Sequence, residues 1–248
     1  MKATIYWNQH NFEVDLSKPI DISIPLKNGN DNPNGFYIDA PRFEPVRVGS
    51  FVGSVAEGAG CNCENLYINA HGNGTHTECV GHISLERITI NQCLKQFYSM
   101  AQLISVAPKL QSNGDYVVMM EDVKHLLQND IEALVLRTLP NISDKLHKSY
   151  SGTNPTYVEP ALTAYLCENN INHFLLDLPS VDREEDEGKL EAHHAFWNYP
   201  SAPRLDATIT EFIFVKDEIQ DGMYLLNLQI ASFESDASPS KPVLYAIS

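Results

Sequence analysis

Basic residues are scarce in this chain: 17 Lys+Arg stand against 32 Asp+Glu, a formal charge of −15. A phosphate backbone or an anionic lipid surface would be repelled at long range, which argues against nucleic acid and membranes as partners. Long apolar runs are missing as well, none approaching the roughly 18 residues that a membrane span requires. Cysteine is sparse and irregular: Cys61, Cys63, Cys79, Cys93 and Cys167 are an odd number without a spacing framework. That excludes a disulfide-built scaffold and suits a reducing compartment. The nearest pair, Cys61 and Cys63, is CxC, whereas a structural zinc ribbon needs two CxxC-like pairs. The first segment, ATIYWNQHNFEVDL, has no basic start, apolar core or small-residue cleavage site, so the expected location is cytoplasmic.

What is present is the composition of an ordinary globular chain, 248 residues with 43% hydrophobic and 20% charged, and a single domain over 1–248 is expected. The polar stretches at 27–35, 182–189 and 234–242 read as surface loops. Strand signals recur at 3–7, 20–25, 50–56, 66–70, 102–107, 133–137, 173–178, 209–215, 224–232 and 243–247. Helical patterns at 121–128 and 158–169 each lead into an apolar strand, the second with Glu159-Pro160 as its first turn. Helix followed by buried strand, twice, indicates α/β crossover units. The expected architecture is α/β, a mixed sheet with few flanking helices.

The segment NAHGNGTHTECVGH at 69–82 is the densest in chemistry, placing three of the nine histidines, a glutamate and a cysteine within 12 residues. Strand-like alternation through His76, Glu78, Val80 and His82 puts the polar side chains on one face. Imidazole and carboxylate are the usual ligands of zinc, manganese and iron, and Gly72 and Gly74 allow a turn sharp enough for His71 to converge on His76. Clustered histidines in a Gly-rich loop therefore point to a metal site, against the alternative of a hydrogen-bonded polar turn. Cys79, between His76 and His82, is either a nucleophile activated by an adjacent base or a buried thiol.

These residues carry a family resemblance. Gly74-Thr75-His76-x-Glu78-x-x-x-His82, with His71 upstream, resembles the HxGTHxDxPxH signature of the cyclase-family metal hydrolases, to which kynurenine formamidase and isatin hydrolase belong. VDLSKPIDISIPL at 14–26 is similar to the family's DLSxP strand and DLPSVD at 177–182 to its DxxSxD segment. HHAFW at 193–197 falls at HRxLL, and ITEFIFV at 209–215 where the last ligand glutamate lies. The chain departs from the pattern in three places: His71 lies five rather than four positions before His76, Glu78 replaces an aspartate, and Cys79-Val80 replaces x-Pro.

The resemblance implies a swivelling β/β/α fold, assembled as a homo-oligomer, with one or two divalent ions, Zn2+ or Mn2+. His71, His76 and Glu78 would hold the first ion, and Glu78 would bridge to a second held by His193 and Glu211. His82 would be the general acid/base. The adjacent His194 is the alternative to His193, which the HRxLL match selects. The implied reaction is hydrolysis of an amide or lactam bond in a small molecule, with a non-catalytic metal- or ligand-binding protein on the same scaffold as the competing class. Tyr67, Trp197, Tyr199 and Trp7 are candidate pocket aromatics, Asp177 is a loop-holding residue, and the charge run from Asp182 to Glu187 reads as a solvated loop.

Overall fold

In a computed structural model describing residues 1–248, seven strands close into a mixed barrel. We number the strands used below β1 (Lys2–Trp7), β2 (His10–Asp15), β3 (Ile20–Asp21), β4 (His76–Cys79), β5 (Tyr98–Val106) and β6 (Ala133–Thr138). They continue as β7 (His173–Leu176), β8 (Thr208–Glu211), β9 (Gly222–Ile230) and β10 (Ala237–Ala246). The barrel order is β9-β5-β6-β7-β8-β4-β10, closed by β9–β10 pairing, and β3 extends it beside β10. Strands β5 to β8 run parallel, while the remaining barrel pairings are antiparallel.

The parallel strands are linked by short helices: α2 (Met120–Lys124), α3 (Pro160–Glu168) and α4 (Glu191–Trp197), with α1 (Ile90–Cys93) preceding β5. The sequence-expected crossover units are present, and α3 has Pro160 in its first turn as anticipated. Only α4 and the one-turn α1 lay outside the two expected helices.

Every residue of β6 is buried. Leu134 and Leu136 pack outward with Leu162, Leu166, Phe196 and Trp197 of the helices. Ala133 and Val135 pack inward with Leu103, Leu175 and Leu226. A continuous apolar run is what a strand covered on both faces demands.

Three expectations need correction. The strand expected at 209–215 stops at Glu211, because Phe212 takes a left-handed backbone (φ +54°). Alternation therefore fails beyond it: Ile209 lies in the helix-side core, Ile213 and Val215 inside the barrel. The stretch at 234–242 is not all surface loop, since β10 begins at Ala237 despite Pro239 and Pro242. The run at 50–56 holds only a two-residue strand, Phe51–Val52, before a turn of 3-10 helix.

Candidate metal centre

In β4 the side chains alternate between two buried environments. Thr77 meets the Thr210 hydroxyl at 2.7 Å and Cys79 joins the barrel interior, so His76 and Glu78 face the other way. The register of the ladders then imports partners from distant sequence: Glu211 stands opposite His76, and Ala237 opposite Glu78. The left-handed Phe212 ends β8 immediately after Glu211. Leu190, also left-handed, precedes α4, which presents His193. Backbone held in a sparsely populated region beside two of these side chains is characteristic of functional sites.

His76 poses the clearest chemical question. Its Nδ1 lies 2.9 Å from the Gly74 carbonyl oxygen, which can only accept, so Nδ1 carries a proton and in the neutral ring Nε2 is a bare lone pair. That Nε2 is buried without a hydrogen-bond partner, and the atom facing it at 3.3 Å is Glu211 Oε2, another acceptor. Glu211 Oε1 accepts the Val181 N–H at 3.1 Å. Two buried acceptors facing each other need positive charge at the pair, from bound cations or from a proton.

Glu78, 1% exposed, occupies the middle of the cluster. Its Oε1 is 3.1 Å from His193 Nε2, and its Oε2 is 3.0 Å from His71 Nδ1 and 3.8 Å from His82 Nδ1. Behind His193, Asp182 Oδ2 sits 2.6 Å from Nδ1, and the same carboxylate accepts the backbone N–H groups of Ala192 and His193 at the start of α4. It thereby fixes the ring with Nε2 directed at Glu78.

Burial opposes a charged ring at His71 and at His193, but the adjoining carboxylates outweigh it. Asp236 and Glu78 raise His71 to about 10, and Asp182 and Glu78 raise His193 to about 10. For Glu78, burial favours the neutral acid, yet the charges and hydrogen bonds of His82, His193 and His71 hold its carboxyl well below the ordinary range. Protons on imidazoles thus balance the carboxylates, and a divalent cation is the natural replacement for them. Imidazole nitrogens and carboxylate oxygens without a thiolate fit such an ion, and the bare Nε2 of His76 supplies the ligand atom that the protein itself leaves unused.

The fold brings together all the sequence-chosen residues. His71 reaches the cluster although it is one residue out of step with the signature, its ring centroid 5.3 Å from that of His76. Gly72 occupies the strict position, where a Cβ would lie 2.6 Å from Ile38 Cγ1, so no side chain fits there. His194 turns away, its Nδ1 3.1 Å from the Tyr199 carbonyl oxygen. His82 is partly exposed, at 28%. It lines a cavity of about 320 Å³ with His71, Glu78, His193, Glu211 and the apolar Phe36, Ile38 and Leu190.

Other expectations fail. None of the four chosen aromatics lines this cavity: Trp197 is buried and donates to the Ala207 carbonyl, Trp7 donates to that of Asp130, Tyr67 lies under the Arg42 guanidinium, and Tyr199 borders a different cavity. The aromatic that does line it is Phe36. For Cys79 the buried-thiol alternative holds: it is fully buried, and its contact with Cys93 together with burial pushes its thiol far above the ordinary range, so it is no activated nucleophile. Asp182 belongs to the cluster, not to a solvated run. Asp236, read as part of a surface loop, places Oδ2 2.8 Å from His71 Nε2 and 3.3 Å from His82 Nδ1.

Known proteins share sequence and fold with the chain. The chain is 27% identical over 241 residues to a kynurenine formamidase of Bacillus cereus, covering 94% of this chain and 100% of that one. Among solved structures it resembles a potential metal-dependent hydrolase with cyclase activity, with TM-score 0.66 and 15% identity over 92% of this chain and 97% of the other. It also resembles isatin hydrolase A from Labrenzia aggregata, with TM-score 0.64 and 13% identity over 92% and 93%. These likenesses show a shared fold, the swivelling β/β/α arrangement implied by the sequence resemblance. The putative cyclase model matches residues 14–183, well over half of the sequence and the segment that supplies His71, His76, Glu78, His82 and Asp182, and the chain belongs to that family.

Proposed function

We propose that the protein is a metal-dependent hydrolase of C–N amide or lactam bonds, of the kynurenine formamidase kind. The observation that carries the proposal is the buried Nε2 of His76 facing Glu211 Oε2 with no donor between them. His71, His76 and Glu78 would hold one divalent ion, and Glu78, His193 and Glu211 the second. Zn2+ and Mn2+ both suit these donors. Bound there, the cation supplies Lewis acidity that polarises a carbonyl and acidifies a water.

The chain's own residues divide the remaining work. His82 borders the cavity with Nδ1 held on the carboxylate side, which leaves Nε2 to take a proton from the attacking water and return it to the leaving nitrogen. Asp182 holds His193 in one tautomer. Phe36, Ile38 and Leu190 form an apolar wall suited to an aryl substituent beside the scissile bond.

The same reading carries a homo-oligomer in the cytoplasm. Val48, Phe51 and Leu66 are exposed on two short antiparallel ribbons, 42–45 with 64–67 and 47–48 with 51–52, and Val55 on the 3-10 turn that follows, which supports self-association, and the unpaired, exposed thiols Cys61 and Cys63 suit a reducing compartment. No helix is long and apolar enough to cross a membrane. Metal analysis of the purified protein, with hydrolysis of an aryl formamide and an aryl lactam before and after chelation, tests the central claim. Turnover that disappears with the metal and returns on its readdition is expected, and turnover unaffected by complete metal removal overturns it.

A further inference from the structure

Asp236 is missing from the signature and lies 165 residues from His71, yet its Oδ2 is 2.8 Å from His71 Nε2. The same oxygen lies 3.3 Å from His82 Nδ1. The two rings it serves lie close together, with centroids 4.4 Å apart. His71 is the residue displaced by one position from the family pattern, so it needs a restraint of its own. With Nε2 on Asp236, His71 directs Nδ1 at Glu78 Oε2, 3.0 Å away, and with Nδ1 on Asp236, His82 keeps Nε2 for the cavity.

The segment that carries Asp236 is anchored on both sides. The Cys79 N–H donates to the Asp236 carbonyl at 3.0 Å, and the Ile90 N–H to that of Ser235 at 2.7 Å. The Glu234 carboxylate accepts from Thr89 and Asn91, and the Ser235 hydroxyl donates to the second Asp236 oxygen at 3.1 Å. A carboxylate fixed this way, immediately before β10, orients the rings that it accepts from, which tunes both the direction of a ligand and its basicity.

Resting on the metal-hydrolase reading above, we propose that Asp236 is a positioning residue for both functions of the site: it holds the displaced His71 in the tautomer whose Nδ1 faces the metal, and it aims the acid/base His82. Asp236→Asn keeps the size but removes the charge from the one oxygen that both rings share, so the amide accepts from them more weakly or turns its N–H against both. In the full-length protein, Co2+ titration followed by visible absorption should show affinity reduced about 10–100-fold. With metal saturating, kcat for an aryl formamide should fall about 10–100-fold at nearly unchanged KM through misdirection of His82. In a His82→Ala background the same substitution should cost no further kcat while still weakening Co2+.

If Asp236→Asn fails to fold, imidazole 15N resonances of the Zn2+-loaded wild type still decide the matter: His71 must be protonated at Nε2, and protonation at Nδ1 overturns the proposal. Wild-type Co2+ affinity and kcat in Asp236→Asn overturn it while leaving the hydrolase reading intact. A wild-type protein that takes up no Co2+ overturns that reading, and this proposal with it.

Discussion

Asp177 and Glu78 are both buried carboxylates in the same barrel, and their surroundings differ in one respect that separates a structural lock from a site. Asp177 accepts the Thr138 N–H, the Thr138 hydroxyl at 2.8 Å and Lys145 Nζ at 2.7 Å, and Lys145 also donates to the Thr138 carbonyl at 2.6 Å. Burial raises the Asp177 carboxyl, and Lys145 and Thr138 work against that rise with partners the chain itself supplies. Around Glu78 the chain supplies imidazoles whose nitrogens are held in place by further acids, and one of those nitrogens, His76 Nε2, is left facing an oxygen. A closed network stabilises one conformation, whereas an open one with matched acceptors is poised for a cation from solution.

The largest expected effect lies on the open side. His82→Ala should leave metal content near normal and slow turnover about 10²–10⁴-fold, because a proton carrier is lost while the carboxylate cluster stays whole. Steady-state kinetics alongside metal quantification checks this. Wild-type turnover would remove His82 from the mechanism and leave its contact with Asp236 without a catalytic purpose.

The closed side should respond in the opposite currency. Lys145→Met strands the Asp177 carboxylate, which has no exposed side-chain surface. Breaking a buried pair from one side costs about 3–5 kcal/mol of stability. Urea unfolding should register that loss while metal affinity stays unchanged. A Lys145→Met protein of wild-type stability would mean that Thr138 alone satisfies Asp177, and the contrast between the two clusters would weaken.

A pH-dependent effect of similar size comes from His173, which belongs to neither cluster. Burial, reinforced by Arg204 and partly opposed by Asp206, lowers His173 from 6.5 to about 4. The unfolded chain therefore binds this proton more readily, so the stability conferred by the neutral ring is complete above pH 6.5 and lost as pH falls towards 4. The loss amounts to about 3 kcal/mol. His71 and His193 act with the other sign in metal-free protein: raised to about 10, they contribute stability below pH 6.5 that fades as pH rises through 10. Unfolding of the wild type and of His173→Asn between pH 7 and 4 separates these contributions, since only the first should lose stability through His173. Parallel curves would exclude it.

How much of this was legible in the sequence varies with what each residue's partner is. Ala133–Thr138 and His173–Leu176 were readable because apolar runs report burial directly. The convergence of His71, His76, Glu78 and His82 was readable because imidazoles and a carboxylate crowd one segment and Gly74, at φ +130°, supplies the turn. Asp236 was not, since its role depends on β10 closing the barrel against β4, and Pro239 and Pro242 made that stretch look like a loop. Asp182 was legible two ways, as the end of the DxxSxD-like segment and as the first acid of a charged run, and its burial beneath α4 favours the first. The pocket aromatics were misjudged because Trp and Tyr advertise size, while Phe36 reaches the cavity through a left-handed backbone that no pattern announces. Patterns report what an element buries, but not which distant strand the register sets beside it.

The smallest effect sharpens the comparison most. Asp182 resembles Asp177 in accepting backbone N–H groups as well as a side chain, yet the side chain it serves is His193, whose other nitrogen points to Glu78. If the cluster holds a metal, Asp182→Asn removes the charge behind a ligand and should weaken metal affinity about 10–100-fold. It should also loosen the first turn of α4, because an amide accepts there less strongly than a carboxylate and loses the favourable interaction with the helix dipole, about 0.3–1 kcal/mol. Isothermal titration with Zn2+ and thermal melting of the metal-free protein measure the two separately. A large fall in melting temperature with unchanged affinity would class Asp182 with Asp177 as part of the scaffold; weakened affinity with a nearly intact fold would place it on the other side of the divide, where the protein's own hydrogen bonds end at an ion.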